Sequence, residues 1–102
     1  RQSTSIVPLP TVTAFAPLSP NPFRASTRFS YAIAKASPVE LSIFTVDGRK
    51  VRTLVNEQKS PGNYELTWDG RDDRGQIVKA GVFFARFNTA QVQQTRSIVF
   101  LK

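Results

Sequence analysis

The chain has 102 residues, 40% of them hydrophobic, enough apolar material for one folded domain and too little for two. It contains no Cys and no His, which excludes disulfide scaffolds, thiolate metal sites, cysteine nucleophiles and the commonest general base. Fourteen Lys and Arg against seven Asp and Glu give a net charge of +7, but the basic residues are scattered. With neither a recognition helix nor an exposed aromatic platform in view, specific nucleic-acid binding is not expected.

No apolar run approaches the ~20 residues of a membrane-crossing helix, so no transmembrane segment is expected. A chain that starts at Arg1 and contains no Met reads as a processed or excerpted piece of a longer protein. The lack of Cys leaves its compartment open, because many secreted bacterial β-domains are stable without disulfides.

Five of the seven prolines fall between Pro8 and Pro22. Proline removes a ladder donor, so residues 1–17 should be extended: a linker, an edge strand around Thr11–Phe15, or a strand donated to a neighbouring copy. Residues 18–102 are then the folded domain. Two X-Pro steps in Ser19-Pro20-Asn21-Pro22-Phe23 make a stiff turn that delivers the Phe23 ring to one end of a core.

From Ser26 the pattern alternates, with Phe29, Tyr31 and Ile33 on one face. A second strand, Val39–Val46, places Val39, Leu41 and Ile43 together. Phe44 and Val46 break the alternation near its end, which marks a bulge or a strand covered on both faces. Asp47-Gly48 then reads as a two-residue type I′ hairpin, since both central positions of that turn need positive φ. Arg49–Asn56 returns, with Val51, Leu54 and Val55 as its apolar residues.

Ser60-Pro61-Gly62-Asn63 turns into a strand of alternating Tyr64, Leu66 and Trp68. The single Trp stands before a polar loop, where its ring can plug a core end while its N–H reaches a loop acceptor. Gln76–Val78 is a candidate short strand. Lys79-Ala80-Gly81 leads into Val82–Phe87, and Thr95–Leu101 closes the chain. The expected core is Phe29, Tyr31, Ile33, Leu41, Ile43, Leu54, Leu66, Trp68, Val82, Phe84, Ile98 and Phe100. With turns every ~8–12 residues and no sustained helical period, the chain reads as all-β, an antiparallel β-sandwich of the immunoglobulin-like class.

Asp69, Asp72 and Asp73 are candidate calcium ligands, since hard cations take clustered carboxylates. The spacing is not that of an EF-hand, and Arg71 and Arg74 intrude. The alternative is a turn held by Asp side chains, with Gly70 and Gly75 supplying positive φ. The same acids do not face each other across a cleft as glycoside hydrolysis requires, and no nucleophile stands by a base. No enzyme activity and no cofactor are expected.

Ser19–Phe23, VELSIFTVDGRKVRTLV (Val39–Val55), Pro61-Gly62, WDGRDDRG (Trp68–Gly75), AGVFFARF (Ala80–Phe87) and RSIVFLK (Arg96–Lys102) occur in that order. The set, spanning Leu18–Lys102, resembles the immunoglobulin-like domain at the C-terminus of the flagellar hook-capping protein. It resembles still more the related C-terminal sorting domains of type IX secretion cargo. The resemblance implies a seven-stranded antiparallel sandwich at the end of a larger secreted protein, placed outside the cell or on its surface and read by the secretion machinery. Matched positions are Asn21 and Pro22, Asp47 and Gly48, the step Gly81-Val82-Phe83, and the terminal strand Ser97, Ile98, Val99, Phe100, Leu101 and Lys102. The family more often has Tyr at the position of Phe83. A structural or assembly role, with other copies of the protein as partners, is the alternative.

Overall fold

A computed structural model describes residues 10–17 and 20–101. Residues 1–9, Leu18, Ser19 and Lys102 lie outside the described residues. Seven strands follow in order: β1 (Ala14–Pro17), β2 (Thr27–Ile33), β3 (Ser37–Thr45), β4 (Lys50–Lys59), β5 (Gly62–Trp68), β6 (Gly81–Thr89) and β7 (Gln93–Phe100). They form a three-stranded sheet, β1-β2-β5, and a four-stranded sheet, β4-β3-β6-β7, with every strand pair antiparallel. This is the immunoglobulin-like sandwich expected from the alternating runs.

The core forms where the period-2 faces meet. Phe29, Tyr31 and Ile33 from β2 oppose Val39, Leu41 and Ile43 from β3, and all six are buried. Two groups of rings fill its ends. Phe15 stacks on Phe29 and Phe87 with centroids 5.7 and 5.2 Å apart, and Tyr31 stacks on Tyr64 at 5.0 Å. At the other end Trp68, fully buried, meets Phe23 at 5.5 Å and the edge of Phe83 at 5.4 Å. Leu54 and Leu66, expected in the core, are half-buried against it.

Four expectations need correction. In β6 the core face is Phe83, Ala85 and Phe87, while Val82 is 45% exposed and Phe84 half-buried on the outer face. The strand is apolar on both sides, so its pattern fits either phase, and a shift of one residue moves every side chain to the opposite face. The bulge lies in β4 and not at the end of β3. Leu41 opposes Val55 and Ser42 opposes Thr53; Ile43 opposes Arg52 and Phe44 opposes Lys50. Leu54 and Val51 are therefore the extra residues, which explains the uneven spacing of Val51, Leu54 and Val55.

At the β3–β4 hairpin Gly48 has φ +90°, but no other residue type has positive φ among the described residues. The Gly48 N–H donates to Thr45 O at 3.0 Å and the Thr45 N–H to Arg49 O at 2.9 Å. That is a three-residue connection with Gly at the left-handed position, not a type I′ turn. Finally, Gln76–Val78 is no strand: a single bridge joins Arg71 and Ile77.

Candidate interaction site

The strand directions bring the start of β2, the end of β3, the start of β4, the end of β5, the start of β6 and the end of β7 to one end of the sandwich. The turn before Phe23, the Asp47-Gly48 hairpin, the charged loop, Gly81 and the end of the terminal strand meet there, although they are up to ~80 residues apart along the chain. Trp68 is the floor of this end, and its indole N–H donates to Arg71 O at 2.9 Å.

The loop after Trp68 folds on its own side chains. Asp69 Oδ1 accepts the Arg71 N–H at 3.2 Å, and Asp72 Oδ1 accepts those of Arg74 and Gln76 at 2.9 and 3.0 Å. These are the local side-chain bonds that make Asp a turn residue. Gly70 sits at φ +76°, and a Cβ there would lie 2.9 Å from the Phe100 ring, so both conformation and space require glycine. Gly75, at φ +86°, has open space around it, and only its conformation favours glycine.

Asp73 is used differently. Its Oδ1 accepts the Thr53 N–H at 3.1 Å while its own N–H donates to Val51 O at 3.0 Å. One residue thus supplies an acceptor and a donor to the outer edge of β4, as a neighbouring strand would. Arg52, opposite Ile43, reaches over this loop to 3.6 Å from Asp69 and 4.0 Å from Asp73 and donates to Arg71 O. Nothing in the sequence pattern singled Arg52 out, because the bulges displaced it from simple alternation. Asp69 and Asp73 share Arg52 while Asp72 serves only its own turn, and no metal-holding group of three acids forms among the described residues.

On the opposite edge of the same sheet Asn21 does for β7 what Asp73 does for β4. Its Oδ1 accepts the Val99 N–H at 2.9 Å and its Nδ2 donates to Ser97 O at 3.2 Å. The Phe23 N–H then donates to Val99 O at 2.9 Å, and Leu101 N–H to Phe23 O at 2.8 Å, a short parallel bridge. Thr27 Oγ1 fixes the segment by donating to Pro20 O at 2.5 Å. The backbone of Ser97–Leu101 is therefore occupied on both sides. Ile98 and Phe100 point into the core, which leaves Ser97 and Val99 on the outer face beside Val82 and Phe84.

That outer face also carries Phe44, with the Arg86 guanidinium 4.4 Å from its ring centre. Beside it Lys50 Nζ lies 2.9 Å from Glu40 Oε2, and this bond, helped by the Ser42 hydroxyl, holds the Glu40 carboxyl below its ordinary range. The Asp47 carboxyl is also held low, chiefly by the hydroxyl of Thr45.

Residues 23–91 match the family model of the FlgD Ig-like domain. Among solved structures the chain is similar to part of PorZ of Porphyromonas gingivalis, described as an essential bacterial surface component of the type-IX secretion system. The superposition has a TM-score of 0.54 and 16% identity, and covers 88% of this chain but only 11% of that one. At that identity the likeness is one of fold. No curated protein matches.

Proposed function

The chain belongs to the FlgD Ig-like domain family, and from that premise we propose that it is a non-catalytic secretion-sorting and surface-attachment module of a larger secreted protein. The observation that carries this reading is the state of β7. Its backbone edge from Ser97 to Leu101 is closed by Asn21 and Phe23, so a partner reads it through the outward side chains of Ser97 and Val99 and not by adding a strand. The family context supplies the class of partner, a secretion or surface component.

The test follows from the same geometry. Deleting Ser97–Lys102 would remove Ile98 and Phe100 from the core and confound export with unfolding. A reporter fused to the whole chain and carrying Val82→Ser with Val99→Ser keeps the core rings, Phe15 of β1 included. Export of the parent fusion, with loss of export by a variant that still melts cooperatively, is the expected result. Undiminished export of that variant would defeat the proposal.

A second reading, an assembly module of an extracellular filament, cap or surface layer, is supported by β5, whose outer edge has no partner strand among the described residues. Light scattering on the whole chain and on a version lacking residues 1–9 tests it, with large assemblies expected only from the whole chain. The cut spares β1, because Phe15 is buried against Phe29 and Phe87. Equal monomeric masses would count against it.

A further inference from the structure

Between the β3–β4 hairpin and the loop after Trp68 lies an open cleft of about 610 Å³. Its floor is apolar, made by Val51, Val78 and Phe83, and its rim carries Arg49, Arg74 and Lys79. We propose that this cleft binds an acidic peptide segment, one with an aliphatic or aromatic side chain flanked by carboxylates. The inference does not rest on the sorting role.

The rim is net positive, with Arg49, Lys50, Arg74 and Lys79 outnumbering Asp72 and Asp73 among the residues that line the cleft. Asp72 keeps its charge while accepting two backbone N–H groups, and Asp73 accepts from Thr53 and lies 4.0 Å from Arg52. Asp47, on the same hairpin, accepts from Thr45 and also feels the charge of Arg49, and Lys50 is paired with Glu40 outside the cleft. No ion pair of the Arg49, Arg74 or Lys79 side chains exists among the described residues. Three cations therefore face solvent around an apolar floor.

The three cations come from three separate segments, the hairpin, the loop and the connection to β6, and line one cleft with the apolar floor. A compact anion needs convergent donors. A chain with carboxylates spaced about an apolar side chain meets both the rim and the floor, and the volume lies within the range of ordinary ligand clefts, ~300–1,000 Å³. The bulge that makes Val51 an extra residue of β4 also supplies part of that floor.

The experiment titrates the whole chain with a fluorescently labelled hexapeptide, Glu-Asp-Phe-Leu-Asp-Glu, and with its Gln/Asn counterpart, following anisotropy. Saturable binding is expected for the acidic peptide, weakened about tenfold in the Arg49→Ser, Lys79→Ser double variant. It should weaken likewise for the amide peptide and at high salt. Both substituted positions are exposed, and a thermal melt establishes that the variant is folded. No binding, equal binding of the amide peptide, or equal binding by the variant would overturn the proposal. So would displacement of the peptide by pyrophosphate at equal concentration, which would make the cleft a plain anion site.

Discussion

The two edges of the four-stranded sheet are closed by the same device and held by different forces. Asn21 on β7 and Asp73 on β4 each offer an acceptor and a donor where a further strand would lie. Asn21 is followed two residues later by Phe23, a ring 1% exposed and stacked 4.9 Å from Phe100. Asp73 is followed by Arg74 and Gly75, both exposed, and its support is a set of ion pairs around Arg52. An edge left open invites another chain, so both must be covered. The β7 cover is secured by burial and the β4 cover by charge, and the two should respond differently to mutation, salt and acid.

The largest expected effect is at the anchor of the β7 cover. Phe23→Ala removes a fully buried ring shared by Trp68 and Phe100, and large-to-small changes of this kind cost ~3–5 kcal/mol. That is a large part of the stability of a small domain, ~5–15 kcal/mol. Urea unfolding should show a strongly lowered midpoint. A variant as stable as the parent would mean that the segment before β2 is not anchored through this ring.

A smaller effect separates the covers themselves. Asn21→Ala removes two hydrogen bonds to β7 and should cost ~1–2 kcal/mol. Asp73→Ala leaves its backbone donor to Val51 in place and removes one acceptor and a solvent-exposed ion pair, so well under ~1 kcal/mol is expected. Hydrogen exchange reads the two sites separately, through the Val99 amide and the Thr53 amide. Raising salt should speed exchange at Thr53 and leave Val99 unchanged. Equal salt dependence at both would erase the distinction between the edges.

Much of this was legible in the sequence because alternation is a local property. Phe29-Tyr31-Ile33 and Val39-Leu41-Ile43 each have one apolar face, and each proved to be core. Trp68 was placed by the polar loop after it, and its N–H finds Arg71 O. The failures occurred where one local rule was insufficient. In β6, Val82, Phe83, Phe84 and Phe87 satisfy both phases, yet Arg86 shares its parity with Val82 and Phe84 and so marks the outer face. In β4 two bulges separate residues of like orientation, and register is set by β3 and the loop, not by the strand's own pattern. The pairing of Asn21 with Ser97 and Val99 joins residues nearly a whole chain apart, and no spacing rule reaches that far.

The smallest effect sets the two sides of the sheet apart by pH. Glu40 and Lys50 join β3 to β4 on the outer face, and the Lys50 ammonium holds the Glu40 carboxyl below its ordinary 4.5. A carboxyl with a folded pKa below its unfolded one stabilises the fold fully above the unfolded value, and that contribution disappears as pH falls through the folded value. The Glu40 side chain is 38% exposed, so solvent screening limits the gain to a few tenths of a kcal/mol, of order 0.3. Glu40→Gln should therefore be slightly less stable than the parent at about pH 7, and the gap should close as acid protonates the parent. The deficit of Asn21→Ala should not change over that range, since an amide does not titrate. Urea midpoints of parent and both variants across the acid range measure this. A Glu40→Gln deficit that persisted below the folded pKa would show that the contact acts through shape and packing, and would remove charge as the basis for the β4 side.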